Sequence, residues 1–160
     1  KDGPKIIEIN ARFGDPEAMN VLTALDSSFS DLVKGMATGK LKEDQATFAP
    51  KATVCKYIVP KGYGVRSEPG HEIGIDAPKI AECGAVFYYG SVERHGNILV
   101  TGTSRSIGVV GIGDSIYEAE QNCEKALVYV KCDACAVRHD IGTQALLQRR
   151  IDHMKQIRGQ

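Results

Sequence analysis

The chain lacks an excess of charge of either sign: Lys plus Arg number 20 and Asp plus Glu number 20 in 160 residues, a formal net charge of zero. A grip on nucleic acid or on an anionic membrane surface depends on a strong positive balance, so the composition excludes both readings. No apolar run is long enough to span a bilayer. There is no initiator methionine and no signal-peptide pattern; the chain opens Lys1-Asp2-Gly3-Pro4 and moves directly into apolar sequence. That opening reads as a piece of a longer protein with a partner domain upstream. The cysteines, at 55, 83, 123, 132 and 135, lack the even count and regular spacing of a secreted disulfide framework. Cys132-Asp133-Ala134-Cys135 has the C-x-x-C form and His139 follows it, but no second ligand pair stands at metal spacing. The expectation is therefore reduced thiols in a cytoplasmic protein.

What is present is the make-up of a globular protein, 42% hydrophobic and 25% charged. Lys5 to Ala11 alternates as a strand, and Asp15-Pro16 predicts a helix start with an N-cap acceptor and a proline at the first helical position. Ser28-x-x-Asp31 caps a second helix with Phe29, Leu32, Val33 and Met36 on one stripe, stopped by Gly39. From Lys51 the texture becomes that of strands: Ala52 to Val59, Gly84 to Glu93, Ile98 to Thr103 and Ser106 to Ile112, with a Gly/Pro-rich loop from Pro60 to Pro78 and a turn at Gly96-Asn97. Glycines recur at 84, 90, 96, 102 and 108, but no aliphatic residue accompanies them at a fixed offset, so they read as turns and crowded strand positions rather than a hexapeptide β-helix. Asp114-Ser115 caps a helix predicted to reach Val130, and a last helix carries Leu147, Ile151 and Met154 on one stripe with Arg149, Arg150 and Lys155 outside it. The fold class is α+β, with a boundary between Lys40 and Pro50.

The strongest chemical signal is Glu8-Ile9-Asn10-Ala11-Arg12. On a strand, its carboxylate, amide and guanidinium share one face, roughly 7 Å apart at about 3.3 Å rise per residue. Hard oxygen donors suit magnesium, which sits between carboxylates and substrate phosphates, and arginine supplies a fork for an anionic oxygen pair. The same alternation also fits an ordinary half-buried strand, so spacing alone leaves both readings open.

The stretch Ile6-Ile7-Glu8-Ile9-Asn10-Ala11-Arg12-Phe13-Gly14-Asp15-Pro16-Glu17 resembles the end of the ATP-grasp domain of phosphoribosylamine–glycine ligases. Glu-x-Asn is shared by many ATP-grasp enzymes, a biotin-dependent carboxylase among them; the continuation Arg-Phe-Gly-Asp-Pro-Glu is the specific part. Val54 to Gly64, Phe87 to Ser91, Ile98 to Ala119 and Arg138-His139-Asp140-Ile141-Gly142 resemble successive parts of the same family's C-terminal domain, in order. Gly64, Tyr88, Tyr89 and the tail beyond Leu147 depart from the family pattern. The resemblance implies residues 1–45 as the end of an ATP-grasp domain and 46–160 as a small, mainly antiparallel β domain with C-terminal helices. It implies Glu8 and Asn10 as ligands of Mg2+ or Mn2+ on ATP phosphates, and Arg12 as a catalytic residue facing the phosphates or an acyl phosphate. It implies Asp15, Arg138 and Asp140 as substrate-binding residues for glycine and phosphoribosylamine. Asp15 is equally readable as a helix cap, and Arg138 with Asp140 as an internal salt bridge fixing a turn at Gly142. The remaining alternative is a non-catalytic binding module.

Overall fold

The computed structural model describes residues 3–159. Two short helices come first, α1 (Glu17–Thr23) and α2 (Phe29–Ala37). Strand β1 (Ala52–Pro60) follows, then β2 (Glu72–Ile75), α3 (Ala77–Glu82), β3 (Ala85–Tyr89), β4 (Val92–His95), β5 (Ile98–Thr101) and β6 (Ile107–Gly113). The chain closes with α4 (Ile116–Leu127), β7 (Val130–Lys131), β8 (Cys135–Val137) and α5 (Gln144–Arg158). The strands form two four-stranded sheets, ordered β3-β6-β1-β8 and β4-β5-β2-β7, and every strand pairing is antiparallel. The class is α+β.

The first sheet positions the site. Its central pair, β1 and β6, runs in register from Ala52 opposite Gly113 to Ile58 opposite Ile107. Side chains alternate between faces, so Val54, Lys56 and Ile58 point to one side while Cys55, Tyr57 and Val59 point to the other. Helix α4 covers the first side and α1 lies on the second. Gly111 makes the α4 packing possible: a Cβ there would lie inside the carbonyl oxygen of Ala119 and the amide of Cys123. Ile107, Val109, Cys123, Ala126 and Leu127, with Ile73 and Val130 from the second sheet, form the core between sheets and helix.

Several predicted elements are revised. Lys5 to Ala11 is not a strand among the described residues. A strand needs a neighbour to take its backbone hydrogen bonds, and here none is assigned; Ile7 is 97% exposed and Ile9 is likewise uncovered. The Pro60–Pro78 loop contains β2, and α3 begins at its end, where Asp76 accepts from the Lys79 amide and Pro78 sits in the first turn. The Gly84–Glu93 strand is two strands in different sheets, broken at Gly90-Ser91. Helix α4 ends at Leu127 because Val130 and Lys131 pair with Ile75 and Gly74. Cys132 and Cys135, expected as thiols, form a disulfide; the turn between β7 and β8 brings their Cα atoms to 5.4 Å, within bridging range. Ser28 and Ser115 cap α2 and α4 as predicted. No described helix is long and apolar enough to cross a membrane.

Candidate active site

A cavity of about 360 Å³ opens on the α1 side of the first sheet. Cys55, Tyr57 and Val59 of β1 line it, Ala136 and Val137 of β8 extend the wall, and Tyr63, Arg105, Arg138 and Ile141 complete the rim with Pro16. The floor is apolar because three alternate residues of one strand point the same way. Burial pushes the Cys55 thiol up to about 12, so this sulfur stays protonated and is not a nucleophile at neutral pH.

Asp15 sits beside this cavity, bound to the sheet rather than to a helix. Its carboxylate accepts from the Tyr57 hydroxyl and pairs with Arg105 Nη2 at 3.1 Å, while Arg105 Nη1 donates to the Asp15 main-chain carbonyl at 3.0 Å. The Arg105 guanidinium also lies over the Tyr57 ring, 5.3 Å from its centroid. Burial, and then the bond to Asp15, hold the Tyr57 phenol well above its ordinary value. The helix-cap reading of Asp15 is therefore corrected: Pro16 occupies the cap position of α1 with no side-chain acceptor, because Arg105 and Tyr57 have taken the Asp15 carboxylate. Arg105 Nε is buried without a partner among the described residues. Leaving such a donor unpaired costs about 1–3 kcal/mol.

Arg138 also lines this cavity, and Asp140 pairs with it. Arg138 donates from Nε to Asp140 Oδ1 at 3.0 Å and from Nη2 to Oδ2 at 2.6 Å, a bidentate pair. That hydrogen bonding raises the guanidinium and lowers the carboxylate from their ordinary values. The turn carrying them is held from beneath. Lys56 is fully buried, and its ammonium donates to Glu120 Oε1 at 2.7 Å, to Glu124, and to the His139 carbonyl at 2.8 Å. His139 Nδ1 in turn lies 3.0 Å from Glu124. Burial alone would depress the Lys56 ammonium, but Glu120 and Glu124 outweigh it and raise it. Gly142 closes the turn at φ 80°, and a Cβ there would press on Val54 at 2.8 Å.

Glu8 and Asn10 hydrogen-bond to each other, Asn10 Nδ2 donating to Glu8 Oε1 at 2.8 Å, both in the open and not on a strand. Among the described residues Arg12 bonds only the neighbouring Phe13 carbonyl, at 2.9 Å. The structure thus brings Asp15 and Arg138 to one cavity and sets Glu8, Asn10 and Arg12 on the exposed segment leading into it. Tyr57, Arg105 and Lys56 were not anticipated. Lys56 had a readable signal, a lone charge on the same strand face as Val54 and Ile58. Arg105 had none, since its partner is 90 residues away.

A family model described as phosphoribosylglycinamide synthetase, C domain, matches residues 53–144. Curated phosphoribosylamine–glycine ligases from Methanothermobacter thermautotrophicus and Methanocaldococcus jannaschii are each 46% identical, over 98% and 99% of this chain. The chain spans 35% of the length of each. The crystal structure of a phosphoribosylamine–glycine ligase from Thermotoga maritima shares the fold, with a TM-score of 0.71 over 86% of this chain and 33% of that one, at 24% identity. With more than half of its residues matched by that model, the chain belongs to the phosphoribosylglycinamide synthetase C-domain family.

Proposed function

We propose that this chain is the C-terminal part of an ATP-dependent carboxylate–amine ligase that joins glycine to phosphoribosylamine. The products are glycinamide ribonucleotide, ADP and phosphate, a step of purine synthesis in the cytoplasm. In this reading residues 1–45 end an ATP-grasp domain and 46–160 form the domain that covers its cleft. One observation carries the proposal: the segment bearing Glu8, Asn10 and Arg12 runs into Asp15, which Arg105 and Tyr57 of the cavity lining hold, and Arg138 lines the same cavity.

The chemistry needs positioning and charge neutralisation more than proton transfer. A glycine carboxylate oxygen attacks the γ-phosphorus of ATP, ADP leaves, and glycyl phosphate forms. The amine nitrogen of phosphoribosylamine then attacks the acyl carbon, and phosphate leaves as the amide forms. No general base is assigned. Glu8 and Asn10 lie together, and a carboxylate and an amide oxygen are the hard donors that would hold Mg2+ or Mn2+. Such an ion would supply neutralisation of the ATP phosphates. Arg12 places a guanidinium beside those phosphates, and Arg138 and Asp140 meet the second substrate at the cavity rim. Closure over the cavity keeps water from the acyl phosphate.

The test is ADP formation by the full-length enzyme with phosphoribosylamine and magnesium, with and without glycine, for wild type and Glu8→Ala. The expected result is glycine-dependent ADP release that the substitution abolishes. ADP release indifferent to glycine would sink the substrate assignment. Residues 1–160 alone are expected to show no glycine-dependent ATP hydrolysis.

A further inference from the structure

We propose that Arg105 is a positioning residue: it locks the segment carrying Glu8, Asn10 and Arg12 to the cavity of the β domain by gripping Asp15 at two points. The inference rests on the ligase reading above and adds a residue to it. A single ion pair between two flexible side chains sets a loose distance. Arg105 instead holds the Asp15 carboxylate with Nη2 and the Asp15 main-chain carbonyl with Nη1, so side chain and backbone are fixed together. Tyr57 holds the other carboxylate oxygen, and its ring lies under the guanidinium, 5.3 Å from centroid to guanidinium carbon.

Arg105 is itself anchored. Its carbonyl accepts from the Ser91 amide at 2.7 Å, at the corner where the chain passes from the first sheet to the second. The grip thus runs from the break between β3 and β4, through Arg105, to Asp15 and the residues just before it. Arg12 is three positions from Asp15 and Glu8 seven, so the joint holds the end of the exposed segment that carries them. The buried Arg105 Nε has no partner among the described residues, which argues against a side chain placed for stability alone. Lysine cannot substitute, because one ammonium does not reproduce a guanidinium that bonds the Asp15 carbonyl through one nitrogen and pairs with the Asp15 carboxylate through another.

The experiment compares full-length wild type, R105K and R105A in the glycine-dependent ADP assay, with ethylguanidinium added back to R105A. Amide hydrogen exchange of the same proteins is measured alongside. The expected result is a kcat fall of about 100-fold in both variants, the size of effect produced by a misplacement of about 1 Å. KM for ATP stays near wild type, and ethylguanidinium returns activity to R105A in a saturable way. Exchange protection is lost around Gly14–Ala18, where the Ala18 amide bonds the Gly14 carbonyl, and kept at Val109 and Val110. Wild-type kcat in R105K, or unchanged protection at 14–18 in R105A, would overturn the proposal. A kcat loss that tracks only a lowered unfolding midpoint, with no guanidinium rescue, would also overturn it. Wild type without glycine dependence, together with lost protection in R105A, would refute the ligase reading while supporting the joint.

Discussion

Lys56→Met offers a direct measure of what holds the cavity's upper rim. The substitution keeps an unbranched side chain one atom shorter and removes its charge. It strips the counter-ion from Glu120, whose side chain is only 6% exposed, and from Glu124, and it takes the donor from the His139 carbonyl. Removing one partner of a buried ion pair costs about 3–5 kcal/mol, because the remaining charge stays in a poorly solvated place. For a chain of this size about 1 kcal/mol corresponds to about 2–4 °C, so the midpoint of thermal unfolding should fall by roughly 6–20 °C. The pH dependence is diagnostic. In the wild type, burial tends to raise Glu124, but hydrogen bonds from Lys56 and His139 outweigh it and hold it below the ordinary glutamate value of 4.5. A depressed carboxylate gives stability that is present above its unfolded value and lost as pH falls through its folded one. In Lys56→Met the part-buried Glu124 loses the first of the hydrogen bonds that hold it down, so its charged form is no longer favoured and the sign reverses: the variant's deficit is greatest near neutral pH and shrinks on acidification. Circular dichroism melts across pH 4 to 8 on both proteins read this directly. A midpoint at pH 7 within about 3 °C of wild type, under 1–1.5 kcal/mol at this size, would refute the argument that the ion cluster carries the turn.

Gly111→Ala should destabilise by about 3 kcal/mol or more, beyond ordinary overpacking, because the new methyl meets the backbone of α4 rather than a flexible side chain; urea unfolding that matches wild type would contradict the packing described. Cys55 and Cys123 should resist iodoacetamide at pH 8 in the native protein, since burial holds their thiols up to about 12 and about 11. Mass spectrometry that finds either alkylated as fast as in urea would count against the burial of that strand face and helix.

Much of the scaffold was legible because it is local. Strand β1 announces itself through β-branched and aromatic residues between 52 and 59, and Ser28 and Ser115 mark helix starts through a hydroxyl placed three residues before the amide it caps. Strand β2 was hidden because it is only four residues long, contains Gly74, and lies in a Gly/Pro-rich stretch. Helix α3 was hidden because Pro78 reads as a breaker unless Asp76 is recognised as the cap. The stripe of Leu147, Ile151 and Met154 was correctly placed on α5, yet Ile151 and Met154 remain 47% and 44% exposed, since periodicity says which face is apolar and not what meets it. At the site, the strand expected under Glu8 and Asn10 is absent because nothing among the described residues pairs with it, and the contacts of Asp15 turn on Arg105, a partner that no window along the chain contains.

The order of strands in the first sheet has a consequence for synthesis. The central pair runs from Ile58 opposite Ile107 to Ala52 opposite Gly113, so it cannot begin until the residues up to Ile107 have left the ribosome. The edge strand β8 that walls the cavity comes later still, from Cys135 to Val137. Until then the cavity face of β1, with Tyr57 and Val59, has only α1 to shelter it. Contacts so distant along the chain close slowly. A nascent chain stalled before Ile107 would therefore display this strand as an open edge, and that interval is where a chaperone, or a neighbouring copy, would find it.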